Sequence, residues 1–185
     1  MSTSRSFHEV RAVAAPRYFT VVHPRLWGGE HPCPGGDTQL HASRLAMLID
    51  AGVTTFIDLT EHDRENSVVP YSRSLRGGNQ RGLSVAYFNF PIADTHPPRS
   101  RGQVEDLLDV IDVALANDET VYLHCRSGVG RTGTLMGLYL VRHGYSPAQA
   151  LSVLAAAWRR DRRSRHWPLC PQTEGQRRYI LDSTP

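Results

Sequence analysis

Residues 124–134 read His-Cys-Arg-Ser-Gly-Val-Gly-Arg-Thr-Gly-Thr, so Cys125 stands six positions before Arg131 with small residues and glycines between them. An ionised thiol is a strong nucleophile, and a guanidinium is a planar fork that fits two oxygens of a tetrahedral anion. Together they suit attack on a phosphate monoester. Val121-Tyr122-Leu123 reads as a short buried strand, and residues 135–142 carry apolar side chains at helical spacing. A strand, a tight loop and a helix start aim backbone N–H groups and the positive helix end at one point, which is where an anion binds.

In such a loop Arg126, Ser127, Gly128, Val129, Gly130 and Arg131 offer successive N–H groups as a concave nest for phosphate. Gly128, Gly130 and Gly133 are expected to supply the freedom for the curl. Arg131 and the helix end favour the thiolate form of Cys125. Arg131 also holds the phosphoryl group and stabilises the charge that spreads over its equatorial oxygens. Thr132 can donate its hydroxyl to the sulfur and help it leave again, and His124 is expected to order the loop rather than carry protons.

Spacing alone would be weak support. With three cysteines and 21 basic residues, every one an arginine, a Cys followed six later by Arg arises by chance in about one such chain in three. Three glycines, the Thr after the Arg and the strand-to-helix context lift Cys125 above that background. Gly128-Val129-Gly130-Arg131-Thr132-Gly133 also has the glycine spacing of a dinucleotide-binding turn. That reading needs an acidic residue about 20 positions on, and residues 134–160 contain no carboxylate. A nucleotide-binding loop of the lysine-bearing kind is excluded because the chain has no lysine, and Schiff-base chemistry goes with it.

Expelling an alkoxide or phenoxide calls for a carboxylic acid over the leaving oxygen. Asp94, 31 residues before the nucleophile in Phe90-Pro91-Ile92-Ala93-Asp94-Thr95-His96-Pro97-Pro98, is the candidate; an ordinary turn Asp is the plain alternative. The second half-reaction needs a water held in line with the S–P bond. Gln172 and Gln176, four apart at the start of a terminal helix, are the candidates, Gln172 ahead and Gln176 supporting. A plain polar helix start would look the same.

These residues resemble the cysteine-based protein tyrosine and dual-specificity phosphatase superfamily, whose signature is His-Cys, five residues, then Arg and Ser or Thr. Leu26-Trp27-Gly28-Gly29-Glu30-His31-Pro32, the segment 51–61, Pro91-Ile92-Ala93-Asp94 and Gln172-Thr173 resemble compact bacterial dual-specificity-like members, and the resemblance covers about residues 20–181. It implies Cys125 as nucleophile, Arg131 as clamp, Asp94 as acid then base, and Thr132 as helper of sulfur release. It also implies a phosphorylated protein or other phosphomonoester as substrate. Ile92-Ala93 stand where the tyrosine-specific enzymes carry Trp-Pro, and their lysine-bearing recognition loop has no counterpart here, so a deep tyrosine-only pocket is not expected. Arg126 adds charge of the kind that accompanies phosphoinositide substrates in relatives, but Val129 lacks the matching basic residue; phosphoprotein stays ahead. An inactive phosphate-binding module is the alternative from another class.

The rest of the chain must place these groups. At 185 residues with 40% hydrophobic residues there is material for one core. The expectation is a tail over 1–17 and a single catalytic domain over 18–185. Strands are read at 18–22, 54–60, 83–90 and 120–124, and helices at 38–51, 100–116, 132–142, 147–158 and 171–181. This alternation implies an α/β fold, a central, mostly parallel sheet of four to five strands flanked by helices, with the loop at the C-terminal end of a central strand. No secretory or membrane-spanning segment is visible, which makes the cytoplasm the expected location; a monomer is favoured. Cys33 and Cys170 are read as ordinary thiols ahead of partners for an oxidised Cys125. Net charge is +3, yet Arg159, Arg160, Arg162, Arg163 and Arg165 crowd into seven positions. That run is read as a solvated connector or rim that attracts acidic substrates, not as a nucleic-acid site. The nine histidines show no converging metal-ligand spacing, and neither metal nor cofactor is expected.

Overall fold

The computed structural model describes residues 14–33, 35, 38–62, 69–77 and 84–184. Most of the expected tail and the start of the strand read at 83–90 lie outside the described residues. Five strands form one sheet in the order β1-β2-β5-β3-β4: β1 (Tyr18–Thr20), β2 (Leu26–Gly29), β3 (Val53–Asp58), β4 (Ala86–Asn89) and β5 (Thr120–His124). Only the edge pair β1/β2 is antiparallel; the β2/β5, β5/β3 and β3/β4 pairs are parallel. The mostly parallel α/β sheet read from the sequence is thus the fold. Strand β2, whose four residues include two glycines, carries too little strand-like pattern to be read alone.

Side chains alternate across the strands as the two-residue pleat requires. Leu26, Ile57, Val121 and Leu123 enter a large core beneath α3 (Arg101–Ala116), α4 (Gly130–Arg142), α5 (Pro147–Trp158) and α6 (Glu174–Leu181). Trp27, Phe56 and Tyr122 turn to the opposite face, where α1 (Thr38–Asp50) supplies Leu45, Leu48 and Ile49, α2 (Ser72–Gly77) supplies Leu75, and Tyr71 packs just before α2. Helix α4 is buried from Gly130 to Val141, because sheet, α5 and α6 enclose it.

Start signals in the sequence match the helix ends. Ser100 caps α3, Ser146 and Gln149 form a reciprocal capping box on α5, and Thr173 and Gln176 form another on α6. That last box sets the start of α6 at Glu174 rather than at 171. Helix α4 begins at Gly130, two residues earlier than its apolar spacing suggests, and its N-cap residue, Val129, gives no side-chain hydrogen bond.

Parallel pairing lines up the strand ends that matter. Gly29, His124, Asp58 and Asn89 form one row across the sheet, each the last residue of its strand. A Cβ on Gly29 would fall 2.2 Å from the hydroxyl oxygen of Tyr122, which is fully buried and donates to the Glu30 carbonyl at 2.7 Å. Gly29→Ala is therefore expected to destabilise the fold by about 1–3 kcal/mol through overpacking. Urea denaturation measures this, and an unchanged midpoint would show that the row tolerates a side chain there.

Candidate active site

Cys125 follows directly from the end of β5 and is 3% exposed. The loop from 125 to 129 then runs into α4 with its carbonyl oxygens tied outward. The carbonyl of Cys125 accepts from His124 Nδ1 at 3.3 Å, that of Arg126 from the His31 amide at 3.0 Å, that of Ser127 from Arg163 Nη1 at 3.0 Å, and that of Val129 from Cys170 Sγ at 3.3 Å. A trans peptide sets its N–H opposite its C=O. Holding these carbonyls away therefore turns the amides of Arg126, Ser127, Gly128 and Gly130 toward the other side, the concave arrangement that binds an anion.

The three glycines divide their work differently from the expected shared flexibility. Gly128 alone of the three has a left-handed backbone, φ 70°, and a Cβ there would lie 2.4 Å from the Gly29 carbonyl. Gly130 and Gly133 instead make room: Cβ atoms on them would meet the Gln176 amide at 2.8 Å and Cys170 Sγ at 2.5 Å.

Arg131 is 1% exposed and its guanidinium is fixed from two sides. Nη1 donates to the carbonyls of Leu59 at 3.4 Å and Ile92 at 3.0 Å, and Nη2 pairs with Asp94 Oδ1 at 2.9 Å. The acid loop is carried there by backbone pairing that continues past the strands: the Phe90 amide donates to Asp58 and the Ile92 amide to Leu59. Asp94 itself is half exposed, facing the mouth. Thr132 is fully buried and its hydroxyl has no hydrogen-bond partner among the described residues.

The terminal segment meets the same loops. Gln176 is fully buried; its amide accepts from the Thr173 amide at 3.1 Å and donates to the His96 carbonyl at 3.2 Å. The Thr173 hydroxyl donates to the Thr95 carbonyl at 3.1 Å. Gln172 is exposed beside them. Of the two amides, Gln176 is the one built into the cradle wall.

Two features escaped sequence reading. Arg163 belongs to the run read as a solvated connector, yet it is 1% exposed and bonded to the loop, while Arg159, Arg160, Arg162 and Arg165 are exposed as expected. Asp161-x-Arg163 spacing before a Trp was the available signal. The second is a buried polar cluster around Asp58, at the end of β3. Its Oδ1 accepts from the amide and hydroxyl of Thr60 at 2.9 and 2.7 Å; its Oδ2 lies 2.9 Å from His62 Nε2 and accepts from the Tyr87 hydroxyl at 3.0 Å. His31 Nε2 and His124 Nδ1 face the same carboxylate at 3.8 and 3.9 Å. The Tyr71 hydroxyl bonds His124 Nε2.

His31, Asp58 and His124 thus bring ligand-type atoms within 4.8 Å of one another, a convergence invisible in sequence because three strand ends supply it. Hydrogen bonds decide what it holds. His31 Nδ1 accepts from the Cys33 amide and His124 Nδ1 donates to the Cys125 carbonyl, so both ring edges facing Asp58 carry protons where a metal would need lone pairs. The cluster houses an anion. Burial alone would raise the carboxyl of Asp58, but His124, His62, His31 and Thr60 together hold it well below the usual range. Burial first, then repulsion from His124, pushes His31 down to about 3, and burial lowers His124 as well.

Comparisons with known proteins place the chain in a family. The polymorphic toxin system DSP-PTPase phosphatase family matches residues 34–145, which include Cys125 and Arg131. The chain belongs to this phosphatase family. It is 31% identical over 148 residues, 72% of the chain and 54% of the relative, to the protein called tyrosine phosphatase 067L of Invertebrate iridescent virus 3. It is 26% identical over 102 residues, 55% of the chain and 24% of the relative, to dual specificity protein phosphatase 1-A of Xenopus laevis. The chain therefore spans about half of the viral relative and a quarter of the amphibian one, and neither is bacterial. Among solved structures, PTPMT1 in complex with PI(5)P shares the fold at TM-score 0.66 and 17% identity, covering 90% of this chain and 94% of that one. Tk-PTP in its active form does so at 0.61 and 24%, covering 86% and 90%.

A pH effect on stability follows from the buried cluster. Each group with a depressed folded pKa gives its full contribution above its unfolded value, about 6.5 for His and 3.9 for Asp, and loses it as pH falls toward the folded value. For His31 the window runs from about 6.5 down to about 3, at roughly 1.4 kcal/mol per pH unit at most. His31→Asn is expected to flatten the loss of stability between pH 6.5 and 4 relative to the parent, read by urea denaturation at several pH values. Parallel curves for the two proteins would contradict the assignment.

Proposed function

We propose that this chain is a phosphomonoester hydrolase of the protein tyrosine or dual-specificity kind, working through a phosphocysteine intermediate. The observation that carries the proposal is the buried Arg131, paired with Asp94, at the uncapped start of α4, directly after a loop that begins at buried Cys125 and has its carbonyls bonded to outside donors. Among the described residues, α3, α5 and α6 have side-chain caps; the amides at the start of α4 are left for an anion.

In the first step the Cys125 thiolate attacks phosphorus in line while the bond to the leaving oxygen breaks and Asp94 gives that oxygen a proton. Arg131, already oriented by the Leu59 and Ile92 carbonyls, holds two phosphoryl oxygens, so little reorganisation accompanies the transition state. In the second step water attacks the phosphocysteine, Asp94 takes its proton, and sulfur departs as thiolate with the Thr132 hydroxyl donating to it. That hydroxyl is buried and unpartnered beside the nucleophile's loop, as such a donor would be. Gln172, at the mouth, positions the water, while Gln176 binds the acid loop to the cradle.

The substrate class we favour is phosphoprotein, with the chain acting as a cytoplasmic monomer without cofactor, metal or nucleic acid. No described helix is long and apolar enough to cross a membrane. Asp94 half exposed and Ile92-Ala93 in its loop support a shallow mouth that admits phosphothreonine as well as phosphotyrosine.

Metal-independent hydrolysis of an aryl phosphate, inhibited by vanadate, is expected. Cys125→Ser should abolish turnover yet retain vanadate or phosphate binding, and Asp94→Ala should lower kcat by about 10²–10⁴. Steady-state kinetics with a trapped 32P-labelled cysteine checks both. Turnover surviving Cys125→Ser would refute the mechanism, and binding without any turnover in the parent would leave a phosphate-capturing module. Faster cleavage of phosphoinositides than of phosphopeptides would replace the favoured substrate class.

A further inference from the structure

We infer that Arg163 is a positioning residue for phosphate binding: it locks the Ser127–Gly128 peptide so that the Gly128 amide faces the anion. The inference rests on the phosphatase reading above.

Glycine at 128 both permits and endangers the loop. With φ at 70° it takes a conformation that other residues rarely adopt, but a glycine crosses between positive and negative φ with little cost. The peptide before it can therefore turn over, and a turned peptide would present the Ser127 carbonyl oxygen to the phosphate in place of the Gly128 N–H. Repulsion would replace a hydrogen bond. Something outside the loop must select the orientation.

Arg163 Nη1 donates to the Ser127 carbonyl at 3.0 Å from the side away from the cradle. Its own position is over-determined. Nε and Nη2 grip Asp161 at 2.9 and 2.6 Å, its amide donates to the same carboxylate at 2.8 Å, and its guanidinium carbon lies 5.1 Å from the centre of the Trp158 ring. Trp158, 1% exposed, is in turn fixed by its Nε1 donating to the Trp167 carbonyl at 2.6 Å. Burial alone would raise the Asp161 carboxyl, but its bonds to Arg163 hold it below its ordinary value, so the pair stays charged at neutral pH. A Cβ on Gly128 would sit 2.6 Å from Nη1, so the guanidinium also fills the space behind the glycine. Lysine could not do the same, because one ammonium cannot reach the carboxylate through two nitrogens and the carbonyl through a third.

The test measures vanadate binding and steady-state kinetics on the full chain for Arg163→Met, Arg163→Lys and Asp161→Asn, with Arg165→Ala, an exposed neighbour, as control. Arg163→Met and Arg163→Lys are expected to weaken vanadate at least tenfold and to lower kcat/KM by a similar factor. Asp161→Asn should give a smaller loss of the same kind, and Arg165→Ala none. A purely structural role would lower the unfolding midpoint while leaving vanadate affinity of the folded protein unchanged, and that result would overturn the inference. Should Arg163→Met fail to fold, Asp161→Asn and Arg163→Lys decide by the same readout. If the parent binds vanadate and turns over while the folded variants match it, the inference alone falls; if the parent does neither, the phosphatase reading falls and takes it along.

Discussion

A loop that is to bind a dianion through its own backbone must keep its carbonyl oxygens turned away from the ligand, and the hydrogen bonds around residues 125–129 meet that requirement. Every peptide in the loop has one pole that attracts phosphate and one that repels it. The difference between a cradle and a barrier is only which pole faces in. Four carbonyls are held by donors from several places: the ring of His124, the backbone after β2, the segment after α5, and, at Val129, the thiol before α6 together with the Gly133 amide of α4. No single element could supply them, because the loop curls and its carbonyls diverge. The sheet gathers them by ending Gly29, His124, Asp58 and Asn89 in one row.

That dependence explains what could be read from the chain before its fold was known. The contiguous features were legible: Cys125, the arginine six residues on, the strand before, the helix after, and the Ser146 helix start all lie within a few residues of their partners. The parallel sheet followed from alternation, and 120–124 and 147–158 fall where the elements lie. Supports whose meaning depends on distant partners were not legible. Asp58 looks like an ordinary strand-end acid until His31 and His124 are brought to it from 27 and 66 residues away. Arg163 sits among four exposed arginines, and only its spacing from Asp161 hints at which one turns inward. Gln172 and Gln176 were told apart only by burial, since a helix start places either one near the loop.

Charge is arranged in two tiers. Arg131 lies under the mouth with its partner Asp94 half in solvent, so a phosphate can displace the carboxylate and meet a guanidinium already desolvated on its other faces. Beneath, an anion at Asp58 is surrounded by hydrogen-bond donors: three imidazole N–H edges and the hydroxyls of Thr60 and Tyr87. A negative charge so near a phosphate site would ordinarily oppose binding, with Coulomb repulsion falling only as the inverse of distance. Its value must lie elsewhere.

What Asp58 provides is orientation. His124 can point its Nδ1 proton at the Cys125 carbonyl only if that nitrogen carries the proton, and the carboxylate facing Nδ1 selects this tautomer, while the Tyr71 hydroxyl, which can donate or accept, accommodates it at Nε2. Were the proton on Nε2, the Nδ1 lone pair would face both the carbonyl and the carboxylate, and the first peptide of the loop would lose its anchor. Removing the negative charge while keeping the shape, as an asparagine would, relieves repulsion but also removes the preference for the right tautomer. The buried anion and the buried arginine under Ser127 therefore do the same job at opposite ends of the loop. Each holds one loop carbonyl, at Ser127 and at Cys125, and on the reading proposed above that is what would present N–H groups to an anion.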